Sequence, residues 1–200
     1  MAAEMSWRCR RNHTVELLPS VDRLFAQVGS SKDEVSAVFV CIGPGMYTGL
    51  RVGVTTAKAM AHALAVPIVG VGRLELDAYS HAAFDGNIVA VHKAGRGDLA
   101  WASYRGAPWR EVVPPTLSKP QELVGAASGR TLFVGESDDA LTDLLGELAV
   151  VVSPTASVRR AGALAELAYR RLAAGDVDEA ALLAPIYLRP PAIGPQTIAE

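Results

Sequence analysis

The stretch best suited to chemistry is a glycine-rich turn opening a helix, Gly43-Pro44-Gly45-Met46-Tyr47-Thr48-Gly49-Leu50-Arg51. Backbone N–H groups at a helix start favour an anion, and a phosphate-binding loop adds Lys and Ser or Thr to meet the phosphates and magnesium. Here five residues rather than four separate Gly43 from Gly49, and Leu50-Arg51 stands where Lys-Ser would. A dinucleotide fingerprint would need its third glycine where Thr48 stands. Neither pattern is complete, and a tight turn leading into a packing helix is the plainer reading.

Other reactive side chains form no constellation. His13, His62, His81 and His92 are scattered, and no His-x-x-x-His or Cys-x-x-Cys spacing offers a metal site. No serine lies in a Gly-x-Ser-x-Gly elbow. Cys9 and Cys41 are far apart, the second within an apolar run, as expected of packed thiols in a reducing compartment. Arg8, Arg10 and Arg11 read as a solvated loop, and Arg159-Arg160 with Arg170-Arg171 as a solvated helix face interrupted by Glu166. A formal net charge of -2 gives no electrostatic case for a free-standing nucleic-acid binder.

The elements that position the glycine turn follow from hydrophobic pattern. Val38-Phe39-Val40-Cys41-Ile42 is a β-branched apolar run that predicts a buried strand before the turn. Thr48 is the expected N-cap of a helix beginning near Gly49. Gly49, Gly53, Ala57 and Ala61 recur every four residues, a stripe that lets another helix approach, with Leu50, Val54, Met60 and Leu64 as apolar contacts around it. Pro67-Ile68-Val69-Gly70-Val71 is the next strand, followed by a short helix from Arg73, so the unit predicts a parallel crossover. Upstream, residues 3–8 alternate like a short strand, and residues 14–28 carry helical spacing that passes Pro19 and stops at Gly29.

A second unit begins near Asn87. Ile88 to His92 and Leu99 to Tyr104 flank a glycine-containing connection, which predicts a hairpin. Residues 131–135 and 150–152 read as strands, residues 138–148 as a helix with an acidic first turn, and residues 157–174 as a helix capped by Ser157 and ended by Gly175. The prolines of Ala184-Pro185-Ile186-Tyr187-Leu188-Arg189-Pro190-Pro191 impose an extended tail, expected to pack on the body and fray after Ile193. The composition, 50% hydrophobic and 20% charged over 200 residues, is that of a folded α/β chain. No apolar run reaches membrane-span length and no signal-peptide core opens the chain, so the expected location is the cytoplasm.

The block from Gly43 to Lys58 resembles the hallmark of the bacterial TsaB (YeaZ) family, Gly-Pro-Gly-x-(Phe/Tyr)-Thr-Gly-Leu-Arg-x-Gly-x-x-x-Ala-Lys. Arg10-Arg11-Asn12-His13 with Leu17-Leu18-Pro19, the Pro67 to Val71 segment, and Pro185-Ile186-Tyr187-Leu188-Arg189 resemble further family elements. Two features depart from the family. It usually opens with a hairpin carrying an Asp-Thr-Ser phosphate turn, which the first residues here do not supply. The second departure is Lys93-Ala94-Gly95-Arg96-Gly97-Asp98 in place of Asp-Ala-Arg-x-Gly-Glu. A chain without that opening hairpin is expected to be less stable and more prone to associate than a full-length relative.

The resemblance implies two actin-like, RNase H-like (ASKHA) lobes, residues 1–86 and 87–200, the first truncated at its N-terminus. It implies a non-catalytic partner of the TsaD-type subunit that transfers threonylcarbamoyl to the adenosine beside the tRNA anticodon. A TsaE-type ATPase would reset the complex, a homodimer would use the same helix, and tRNA would be met indirectly. No cofactor of its own is implied, although ATP or ADP could be held at the partner boundary. The implied partner-binding residues are Gly43, Pro44, Gly45, Tyr47, Thr48, Gly49, Leu50, Arg51, Gly53, Val54, Ala57, Lys58, Met60 and Ala61. Rival readings are a nucleotide-binding actin-like kinase, which would need an acidic turn on its first strand, and a degenerate fragment forming only a homodimer.

Overall fold

The computed structural model describes residues 1–7, 12–127, 129–148, 150–152 and 160–189. Arg8, Cys9, Arg10, Arg11, the expected cap Ser157, Arg159 and the tail from Pro190 onward lie outside them. Regular elements run in the order α1 (His13–Val28), β1 (Val38–Gly43), α2 (Tyr47–Leu64), β2 (Ile68–Gly72), α3 (Arg73–Tyr79), β3 (Asn87–Lys93) and β4 (Leu99–Arg105). Then come β5 (Arg110–Ser118), α4 (Pro120–Leu123), β6 (Thr131–Gly135), α5 (Asp139–Leu145), β7 (Val150–Val151) and α6 (Ala161–Ala173).

The first sheet pairs β1 and β2 in parallel, with Val38 opposite Ile68 and Val40 opposite Gly70. Alternate side chains feed two cores, as the two-residue period of a strand requires. Val40 and Ile68 face α2 together with Val54, Ala57, Ala61 and Leu183. Val69 and Val71 face the opposite way, onto Leu76 and Tyr79 of α3 and Leu167 and Ala168 of α6. The outer edge of β2 is closed by side chains: Gly70 N–H donates to Asp178 at 2.7 Å and Arg171 donates to the Gly70 carbonyl at 2.7 Å. Closing an edge in this way removes a template for strand pairing with another chain.

The second sheet has the order β5-β4-β3-β6-β7. β3 and β4 form the expected hairpin, with Ala90 opposite Ala102, while β3 and β6 run parallel. Ile88 and Ala90 face α3 with Leu132 and Val134. Val89 and Val91 face α4 and α5 with Phe133, Leu123, Leu141 and Leu145. Asp138 caps α5 by accepting from Leu141 N–H at 2.9 Å.

Several expectations require correction. Residues 1–7 form no strand; Glu4 instead accepts from Ala161 N–H at 2.5 Å, capping α6, which begins there rather than at residue 157. α6 packs on the first sheet, and residues 178–186 also return to it, while Arg189 reaches the connection between β3 and β4. β5 was not expected, because Pro114 and Pro115 lack strand donors. Its position at the sheet edge, with shifted register opposite Ser103, accommodates them. α1 runs through Pro19, yet Ser20 is its one buried residue, and Val15, Leu18 and Val28 are exposed.

Candidate functional site

The glycine turn is built around a single close approach. Gly43 ends β1 with φ of 102°, and a Cβ there would lie 2.9 Å from Leu50 Cδ1 and 3.1 Å from the Ile186 carbonyl. Any other residue would suffer both the backbone angle and the clash. The tail accordingly crosses the turn: Ile186 N–H donates to the Ile42 carbonyl at 2.8 Å, and the Tyr187 ring lies 5.0 Å from that of Tyr47. Arg51 then stacks its guanidinium 4.2 Å over the same Tyr47 ring. Gly43 and Pro44 are buried and Gly45 is half-buried, so this turn supports the tail and the start of α2.

α2 begins two residues earlier than expected. Its N-cap is Met46, whose carbonyl accepts from Leu50 N–H at 3.0 Å, and Thr48 is an exposed residue inside the first turn. The four-residue stripe does not form one face. A step of four residues advances the helix by about 40° beyond a full turn, so three steps carry the stripe through about 120°. Ala57 and Ala61 consequently point inward, with 7% and 3% of their surface exposed, and Val54 is 2% exposed beside them. These three expected partner contacts are core residues. Gly53 remains open, with nothing within 4 Å of a Cβ built there. Gly49 is approached by His13 of α1, whose Nε2 would lie 3.8 Å from such a Cβ.

The remaining hallmark positions divide between internal and outward roles. Leu50 fills the space beneath Gly43 and Gly45, and Met60 is half-buried. Lys58 donates to the carbonyls of Ala181 and Leu183 at 3.1 and 2.9 Å, tethering the tail rather than standing ready for an outside charge. Outward lie Thr48, Arg51, Thr55 and Ala59, together with Met46, which is 65% exposed. Val15 and Leu18 on neighbouring α1 add exposed apolar surface. Arg51 and Thr55, two residues to either side of Gly53, lie about 160° around α2 from it.

A polar cluster that sequence reasoning missed joins the two sheets. Arg73 Nη2 meets Glu136 Oε1 at 2.6 Å, His92 Nδ1 meets Glu136 Oε2 at 2.8 Å, and Lys93 N–H donates to Oε2 at 3.1 Å. Arg73 Nη1 lies 3.3 Å from His92 Nε2. Arginine only donates, so Nε2 is the acceptor and the imidazole proton sits on Nδ1, aimed at Glu136. Burial pushes the Glu136 carboxyl up, but hydrogen bonds from His92 and Arg73 and the charge of Arg73 outweigh it, holding the group well below the usual range. Asp77 lies 3.5 Å from Arg73 Nε on the same helix. Burial lowers the affinity of His81 for a proton, opposed by Asp77.

The β3–β4 connection is likewise occupied by internal pairs. Asp98 accepts from Lys119, the main cause of its lowered pKa, and also pairs with Arg189. Arg189 Nη1 donates to the Gly95 carbonyl at 3.2 Å, and Lys93 meets Asp138 at 2.6 Å. Among the described residues no group of three His, Cys, Asp or Glu side chains could hold a metal ion, and no helix is long and apolar enough to cross a membrane.

Residues 8–184 match the family model described as TsaD: tRNA N6-adenosine threonylcarbamoyltransferase. The chain is 32% identical over 196 residues to the tRNA threonylcarbamoyladenosine biosynthesis protein TsaB of Bacillus subtilis, covering 94% of this chain and 84% of that protein. It is 29% identical to TsaB of Escherichia coli, covering 72% of this chain and 66% of that protein. A solved structure of a Pseudomonas aeruginosa protein described as similar to peptidase YEAZ superposes with a TM-score of 0.77 at 25% identity, covering 90% of this chain and 85% of that one. YeaZ from the same organism, at 21% identity and TM-score 0.75, shares the fold and covers 90% and 88% of the two chains. The chain belongs to the TsaB (YeaZ) family, within the wider group that this model describes.

Proposed function

We propose that the chain is a non-catalytic subunit of the tRNA threonylcarbamoyladenosine machinery, built from two actin-like lobes, that docks onto a TsaD-type catalytic subunit. The supporting observation is α2, where Gly53 leaves an open slot on the side of the helix that it shares with Gly49, Thr56 and Met60. A backbone-lined slot admits a partner helix at short interaxial distance, and apolar neighbours give it something to bury. The names borne by the relatives from Bacillus subtilis and Escherichia coli supply the pathway.

In this reading the partner carries out threonylcarbamoyl transfer in the cytoplasm, a TsaE-type ATPase resets the complex, and a homodimer through α2 competes with the mixed dimer. Any ATP or ADP sits at the boundary with the partner. The hallmark residues around Gly43 act at one remove, holding α2 and the tail in place, while the residues around Gly53 make the contact.

Size-exclusion chromatography with light scattering, on the chain alone and mixed with the TsaD-type protein of the same organism, tests the proposal. A 1:1 mixed complex that displaces any homodimer is the expected result. Independent elution of the two proteins at micromolar concentrations would overturn it.

A further inference from the structure

The two sheets are joined near both ends of β4, by different chemistry at each. At the Arg105 end the joint is apolar. Trp109, in the turn between β4 and β5, stacks on Tyr104 with ring centroids 5.4 Å apart and meets Tyr79 of α3 edge-on at 5.2 Å. It packs against the cores of both sheets, and its Nε1 donates to Glu75 of α3 at 3.1 Å. At the Leu99 end, about 20 Å away along the seven residues of β4, the joint is polar. There residues 186–189 bridge from one sheet to the other. Ile186 N–H donates to the Ile42 carbonyl of β1 at 2.8 Å. Three residues on, within about 10 Å of chain, Arg189 pairs with Asp98 and its Nη1 donates to the Gly95 carbonyl at 3.2 Å. Glu136, which accepts from Lys93 N–H at this same end of the second sheet, meets Arg73 just after β2.

The bridge has little to hold it shut. Among the described residues none after Leu183 is buried, so its hold rests chiefly on the Ile186 hydrogen bond, the Tyr187–Tyr47 ring contact and the contacts of Arg189. Segments with so few buried apolar contacts open at low free energy. The Arg189 and Asp98 side chains are 26% and 17% exposed, so water reaches both. Asp98 also pairs with a second cation, Lys119 at the N-cap of α4. When Arg189 leaves, Lys119 keeps the carboxylate paired while the guanidinium passes into solvent. Neither charge is stranded, and a stranded charge is what makes breaking a part-buried pair expensive.

We propose that residues 186–189 are a reversible latch. With Arg189 on Asp98, the carboxyl ends of the parallel strands of the two sheets are held together. With Arg189 released, the sheets part at this end and turn about the Tyr79–Trp109 joint. An apolar pivot and a polar catch at opposite ends of β4 make a small rotation at the first into the largest displacement at the second. Open α/β sheets admit ligands outside the carboxyl ends of their strands, so the latch governs access to Arg73, His92 and Glu136.

Hydrogen exchange of the full chain, read residue by residue by nuclear magnetic resonance, tests the latch with two variants that move it in opposite directions. Arg189→Gln removes the catch and should speed exchange at least tenfold at the Ile186 amide and at the buried Arg73 Nε–H, which reports water entering between the sheets. Lys119→Gln leaves Asp98 to Arg189 alone and should slow both at least twofold. A charge cluster that merely stiffens the loop would be loosened by either substitution. Wild type in about 1 M KCl, where screening acts over about 3 Å, should approach the rates of Arg189→Gln, and that variant should not respond to salt. Unchanged exchange in Arg189→Gln, acceleration at Ile186 without any at Arg73, or acceleration in both variants would overturn the proposal. The salt series on wild type needs no substitution, and an absence of acceleration there would overturn it equally. Exchange is read without a partner subunit, so the latch and docking through α2 stand or fall separately.

Discussion

Gly53→Leu and Ala57→Leu, one turn apart on α2, should shift stability in opposite directions. Nothing lies within 4 Å of a Cβ at Gly53, so a leucine there meets open space. It also replaces the worst non-proline helix former with one of the best, recovering about 0.8 kcal/mol. Ala57 is 7% exposed and packs with Val40, Ile68 and Leu183 beneath α2. Three extra carbons must be forced into that core, at about 1–3 kcal/mol, and the better helix propensity of neither residue compensates. In a chain of this size 1 kcal/mol moves the melting temperature by about 2–4 °C. Thermal denaturation followed by far-ultraviolet circular dichroism should therefore show a rise of about 2–3 °C for Gly53→Leu and a fall of about 3–10 °C for Ala57→Leu. A fall in both would mean that Gly53 is covered within the chain, and the orientation of α2 argued here would be wrong.

The inter-sheet cluster yields two further predictions. Arg73→Ala leaves the Glu136 carboxylate without its guanidinium partner and Asp77 without its guanidinium neighbour, and should cost about 3 kcal/mol in urea denaturation; a loss under 1 kcal/mol would show that the cluster is not a joint. The folded-state pKa of Glu136 is depressed, so its contribution is complete above the ordinary carboxylate value of 4.5 and is lost as pH falls below it. Glu136→Gln should consequently be less stable than wild type at pH 7, with the gap closing in melts taken at successively lower pH below 4.5; a constant gap would contradict the assignment. Lys58→Met removes the two hydrogen bonds to Ala181 and Leu183 and should speed exchange of the Ile186 amide at least tenfold, measured by hydrogen exchange; unchanged protection would mean that Leu183 burial alone holds the tail.

Much of the architecture is local enough to be read along the chain. The β-branched runs at residues 38–42, 68–71 and 88–91 and the glycine-containing connection after β3 encode strands and a hairpin through nearest-neighbour pattern alone. β5 was hidden because Pro114 and Pro115 argue against a strand unless its edge position is known. The packing of α6 on the first sheet was hidden because its apolar face suits either sheet equally, and only tertiary contact with Val69 and Val71 decides.

The hallmark block was conspicuous as a motif, yet its residue roles were not. Recurrence every four residues suggests a single stripe, whereas helical drift divides it between the core at Ala57 and Ala61 and the open surface at Gly53. Arg73, His92 and Glu136 come from three distant segments, and no spacing rule links them.

Isothermal titration of the TsaD-type subunit with wild-type chain and with Gly53→Leu tests docking through α2 most directly, because that variant is expected to keep its fold. Wild type should form a 1:1 complex, and Gly53→Leu should lose affinity at least a hundredfold, as the leucine fills the slot that a partner helix needs. Equal affinities for the two proteins would contradict it and move the contact away from α2.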